Sequence, residues 1–309
     1  MKKKILIALT AILSVIIITL IAAGCYFFHV AQVRSKKDFV NSEPIAKTNP
    51  IYPERESFLK AKKEKWYLTS NDGLKLDAYY LSAEKKTDKT VIVAHGFANS
   101  KEGMAQYAWL FHELGYNVLV PDDRAHGESE GDLIGFGWKD KDDYVKWIQQ
   151  VIEKNGKNEK IALFGLSMGA ATVMMTSGEN LPENVKAIIE DCGYDTVWNE
   201  LVYQAKDMYN LPAFPILYEV SFISQLRAGW NYKEASSITQ LAKNKRPMLF
   251  IHGDKDDFVP TSMVYKNYEA TKGEKELLIV KGAKHAESFQ TDKKLYKESI
   301  EKFLSKYFD

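Results

Sequence analysis

From Ile5 to Phe28 the chain runs for 24 residues without a charge and with few polar side chains. At about 1.5 Å per residue, a helix of that length reaches about 36 Å, enough to cross a hydrocarbon core of about 30 Å. Lys2, Lys3 and Lys4 precede the run. Tyr26, Phe27 and Phe28 close it, where aromatic rings favour a membrane interface. A cleaved leader has an apolar stretch of only about 7–15 residues. Residues 1–37 are therefore expected to be an uncleaved signal anchor, separate from the fold. The alternative is a lipoprotein signal, with Ala22-Ala23-Gly24-Cys25 as a loose lipobox and the lipid on Cys25. Residues 38–62 carry Pro44, Pro50 and Pro53 among polar side chains, with no helical or strand period, and read as a linker.

Beyond position 62 the pattern changes to short apolar runs separated by helical periods. Lys65 to Ser70 and Leu74 to Leu81 flank the hairpin signal Asn71-Asp72-Gly73. The runs 90–94, 117–121, 160–164, 185–189, 248–251 and 277–280 are short and apolar, as buried parallel strands require. Residues 104–114 and 138–152 have helical periods, and further helical patterns separate most of the remaining strands. This alternation predicts an α/β domain over 63–309, a mainly parallel sheet with helices on both faces. Residues 195–245 interrupt the rhythm with an aromatic-rich stretch that includes Trp198, Tyr203, Tyr209, Phe214, Tyr218, Phe222 and Trp230. Ligands of open α/β sheets sit at the carboxyl ends of the strands. The insertion is therefore expected to form a small helical cap over such a site.

The formal charge of +1 hides an asymmetry. Residues 1–37 hold six of the 42 Lys and Arg and no acid, leaving 36 basic and 41 acidic residues in the remainder, a net of −5. An acidic body with a basic tail argues against a nucleic-acid partner and suits a membrane-proximal one. The slight excess of positive charge before the apolar run favours an N-inside, C-outside orientation at the cell membrane. The two cysteines, Cys25 and Cys192, rule out a disulfide framework and a Cys-based zinc ribbon.

Gly165-Leu166-Ser167-Met168-Gly169 follows a predicted strand and opens a small-residue helix, the context in which G-x-S-x-G carries a nucleophile. A serine hydroxyl needs a base, and the base needs an orienting acid. Downstream of Ser167 only His252 and His285 remain, and His285 lies in the loop after the last strand. It is the expected base, with His252 a structural residue of the acid loop. Asp256 is the expected acid, four residues after His252 and four before Pro260. Backbone amides of Met168 and Phe97 are the expected oxyanion donors, with Gly96 permitting a close turn beside them. His95 is read as a structural turn residue.

With these residues in this order, the chain over about 64–309 resembles the α/β-hydrolase superfamily. The resemblance also rests on Pro121-Asp122-Asp123-Arg124-Ala125-His126-Gly127-Glu128-Ser129, which is similar to the D-x-R-x-H-G-x-S segment of many such hydrolases. Within the superfamily the chain is most similar to bacterial membrane-anchored hydrolases of the serine-aminopeptidase (S33) and cell-surface type. The resemblance implies an eight-stranded, mostly parallel sheet with a cap. It also implies that Arg124 and Ser129 brace loops below the site. The expected activity is serine hydrolysis of a small-molecule or lipid-like acyl ester, without a metal or organic cofactor. Peptidase or amidase action through the same triad is the alternative, and a silent tethered binding protein is the alternative of another class.

Overall fold

The structure, a computed structural model, describes residues 1–37 and 45–308. Positions 38–44 of the expected linker lie outside these. Eight strands form one sheet: β1 (Glu64–Thr69), β2 (Lys75–Leu81), β3 (Lys89–Ala94), β4 (Asn117–Pro121), β5 (Lys160–Leu166), β6 (Val185–Asp191), β7 (Met248–Gly253) and β8 (Lys275–Val280). Their order is β1-β2-β4-β3-β5-β6-β7-β8. β2 is antiparallel to β1 and β4, and every pair from β4 to β8 is parallel. The hairpin turns at Gly73, whose φ of 90° suits a residue without a Cβ.

Both faces are covered. Val91 and Val93 of β3 pack towards α3 (Ala105–Glu113) and α11 (Lys293–Phe308), in a core with Phe111, Phe164 and Phe303. Ile92 and Ala94 point the other way, into a core with Trp147 of α4 (Asp140–Asn155), Met174 of α5 (Met168–Ser177) and Val264 of α9 (Ser262–Ala270). The period-2 reversal within one strand is what lets a continuous apolar run serve two cores. The short helix α10 (Ser288–Thr291) precedes α11 and buries Phe289 in the first core.

Two expectations about the N-terminal region need correction. The stretch read as a linker contains α2 (Tyr52–Lys60). Pro53 sits in its first turn, where a missing N–H costs nothing. Ile51 and Phe58 are buried in the first core, and Glu54 pairs with Lys293 at 2.5 Å. Nor are residues 1–37 separate from the fold. Helix α1 (Lys2–Gln32) exposes its first 18 residues but buries Gly24, Phe28 and Gln32. Phe28 is part of a third core with Phe136, Trp230 and Tyr232, and not an exposed interfacial ring. Beyond α1, Val33 bridges Leu133, and Arg34 donates to the carbonyls of Ser129 and Gly127 at 2.6 Å each. Lys37 Nζ donates to the carbonyls of His29, Val30 and Val33, capping the end of α1.

The insertion also divides. α6 (Val197–Tyr209) and α7 (Ile216–Ala228) cover the end of the sheet, and α7 packs along α1. α8 (Ser237–Leu241) instead packs on α5 and α9, as an ordinary crossover between β6 and β7.

Candidate active site

Ser167 lies between the end of β5, near the middle of the sheet, and the first residue of α5. Its φ of 57° and ψ of −115° are strained for a side-chain-bearing residue and lift the hydroxyl out of the strand–helix turn. The flanking glycines are required by close backbone approach. A Cβ on Gly165 would lie 2.1 Å from the carbonyl oxygen of Gly169, and one on Gly169 would lie 2.2 Å from that of Ala94.

The loops after β7 and β8 bring two further side chains to Ser167. His285 Nε2 is 2.8 Å from Ser167 Oγ, and His285 Nδ1 is 2.8 Å from Asp256 Oδ2. The other carboxylate oxygen of Asp256 accepts the backbone N–H groups of Phe258 and Val259, at 3.0 and 2.8 Å. Burial works against charge on Asp256, but the hydrogen bonds from His252 and His285 hold its carboxyl well below the usual range. A charged Asp256 fixes the proton of neutral His285 on Nδ1 and leaves Nε2 as the acceptor facing Ser167.

Gly96 sits directly beside the serine: a Cβ there would meet Ser167 Cβ at an ordinary 3.5 Å. The close turn expected of Gly96 is carried by Ala98, whose φ is 54°. Two neutral histidines hold this loop. His95 Nδ1 donates to the Gly96 carbonyl, and its Nε2 accepts the N–H of Asp123. His126 Nε2 accepts the N–H of Ala98 and its Nδ1 donates to the Arg124 carbonyl. Burial pushes the pKa of both rings down, that of His126 to about 3, so both are neutral at neutral pH and keep only the Nδ1 proton. Phe97 stacks on Phe136 at 5.6 Å and, with Met168, lines the cleft.

Below the site Arg124 donates to Asp143 and Asp72, and Ser129 Oγ ties Asp77 N to the Asp122 carbonyl. Sequence reading missed Lys101. Its ammonium is fully buried, 2.8 Å from Asp77, 2.5 Å from Asp122 and 2.7 Å from Glu128. These three carboxylates are close enough to share a cation, and the lysine supplies it. A lysine in such a stretch reads as solvated surface, and its three partners lie more than 20 residues away along the chain, so no local signal marked it.

A cleft of about 960 Å³, open mouth included, leads away from Ser167. Its walls are almost wholly apolar and come from α6, α7 and the loop between them, including Leu201, Met208, Leu211, Leu217 and Val220. Phe27, Val30 and Ala31 of α1 complete it, so the apolar N-terminal helix forms part of the wall. One carboxyl interrupts this lining. Glu200 accepts from Gln204 with Oε1, while Oε2 has no partner among the described residues. Burial raises its pKa to about 8.

Residues 85–192 match the family model described as serine aminopeptidase, S33. The chain is 31% identical to the uncharacterized protein YqkD of Bacillus subtilis (strain 168), with 99% of each chain covered. It is 28% identical to the uncharacterized protein YfhR of Escherichia coli (strain K12), over 76% of this chain and 78% of that one. Among solved structures it resembles the esterase Pf2001 of Pyrococcus furiosus, with a TM-score of 0.65 and 25% identity over 87% of this chain and all of the other.

Proposed function

The chain belongs to the α/β-hydrolase superfamily and is a hydrolase, and we propose that it is a membrane-anchored serine esterase. The observation that carries this reading is the continuous hydrogen-bonded line Ser167–His285–Asp256, with both links at 2.8 Å. Ser167 Oγ attacks the acyl carbon while His285 Nε2 takes its proton. The carbonyl oxygen becomes an oxyanion, received by the amides of Phe97 and Met168. Met168 suits this role because it opens α5, where the first N–H groups have no intrahelical acceptor. His285 then protonates the departing alcohol. Water, deprotonated by the same ring, releases the acid and restores Ser167. Asp256 stays ionised throughout and stabilises the imidazolium. Every proton moves between side chains, substrate and water, so the cycle needs no metal or organic cofactor.

The apolar cleft suits an acyl chain. α1 is long and apolar enough to cross a membrane, and in this reading it does so once, with the enzyme body outside the cell. Protease added to intact cells should then digest the body, and resistance there would reverse the orientation. Glu200 favours a second reading. An ionised carboxylate in the cleft could hold the ammonium of an amino-terminal residue, which is aminopeptidase chemistry.

The test is hydrolysis of 4-nitrophenyl esters from acetate to palmitate by the full chain beside its Ser167→Ala variant. Turnover that disappears with the hydroxyl supports the esterase. Cleavage of aminoacyl anilides with no ester turnover would favour the second reading.

A further inference from the structure

We infer that the cap of this protein lies on the bilayer that holds α1, and that its substrate is a long-chain acyl ester dissolved in that bilayer, entering the cleft sideways beside α1. The inference rests on the esterase reading for its chemistry and on a separate set of contacts for its geometry.

The first contacts fix α1 relative to the site. A Cβ on Gly24 would lie 2.5 Å from the Glu219 side chain, so α1 and the start of α7 touch backbone to side chain. Arg227 lies 5.1 Å over the Phe28 ring, and Tyr232 donates to Gln32 at 3.0 Å. Positions 24, 28 and 32 thus meet 219, 227 and 232 in the same order. The two helices leave the membrane side together, and α1 cannot swing independently of the cap.

Distance along α1 then sets the level of the cleft. The apolar stretch from Ile5 to Ala23, exposed except at the half-buried Leu20 and Ala23, is about 28 Å long as helix, close to a hydrocarbon thickness. Phe27, Val30 and Ala31 begin only about 6 Å further on and already line the cleft. Tyr209 packs edge-on against Phe27 at 5.1 Å and lines the same cleft. The mouth therefore stands at headgroup level, next to the acyl chains.

The cap's outer surface carries an apolar stripe on the helix that packs against α1 and at its start. Phe214, Tyr218, Phe222 and Leu226 recur every fourth residue on one face, and are 72%, 47%, 60% and 69% exposed. Exposed large apolar residues grouped in this way mark an interaction surface. The membrane is its occupant because the helix fixed against α7 is the one that enters it.

The test uses the full chain in phosphatidylcholine vesicles and two substrates with one leaving group. 4-nitrophenyl acetate reaches the site from water, and 4-nitrophenyl palmitate is dissolved in the vesicles. Phe222→Glu with Leu226→Glu changes two exposed side chains that do not line the cleft. Acetate turnover should stay within about twofold and palmitate turnover should fall at least tenfold. Equal retention of both activities would overturn the inference while leaving the esterase reading intact. Absence of both activities in the unmodified chain would count against the esterase reading instead. A carbene reagent dissolved in the same vesicles probes the unmodified chain, whatever the variant's stability. It should label the segment 214–226 as well as α1, and labelling confined to α1 would equally overturn the inference.

Discussion

His252 brings its Nε2 within 3.1 Å of Asp256 Oδ2, the carboxylate oxygen that His285 Nδ1 holds at 2.8 Å. The same His252 nitrogen is 3.0 Å from the Val259 carbonyl. An Nε2–H therefore ties the acid to the loop that carries it, and orients the oxygen used by the base.

Replacing His252 with Asn should loosen that oxygen without touching substrate. A lost hydrogen bond to a charged group is worth about 1.5–3 kcal/mol, so kcat should fall about tenfold or more. KM for a short ester should change less than twofold. Steady-state kinetics on folded variant separate this positioning role from plain stability. A lowered melting temperature with unchanged kcat would assign His252 to stability alone.

Lys101 neutralises acids that are themselves buried, Asp77 and Asp122. Lys101→Met would leave Asp122 without its cation and Asp77 with only Lys65 at 4.0 Å, at a cost of about 3–5 kcal/mol. Urea denaturation should show the loss as a lower midpoint with an unchanged slope. A midpoint within experimental error of the parent would mean that the acids are protonated or solvated.

Glu200 gives the cleft a pH dependence. Burial raises its pKa to about 8, so it is neutral below that pH and charged above it. For an apolar acyl chain, the charge should raise KM on the alkaline side, and Glu200→Gln should flatten that rise. An amino-terminal substrate would instead bind best near pH 8, where Glu200 ionises while part of the substrate keeps its ammonium, and the Gln variant would bind it worse. KM measured from pH 6 to pH 9.5 on each substrate class separates the two.

The strands and the Ser167, Asp256 and His285 positions were legible because their signals are local. Apolar runs of four or five residues, the glycines around Ser167 and the spacing from His252 to Pro260 can each be read in a short window. What escaped depends on contacts distant in sequence. α1 is apolar on every side, so nothing in its pattern marks Gly24 and Phe28 as the face against α7. α2 is mostly charged and polar, and its burial hangs on Ile51 and Phe58 meeting the first core. Pro53 within its first turn was the available clue. The outer limit of the cap was misjudged because α8 has the composition of the insertion but the contacts of a crossover helix.

The most direct test of the central claim is covalent labelling of the full chain by a fluorophosphonate, located by peptide mass spectrometry. The account predicts one adduct, on Ser167, formed at least a hundredfold more slowly in His285→Ala and absent in Ser167→Ala. An adduct on another residue, or equal labelling after either substitution, would contradict it.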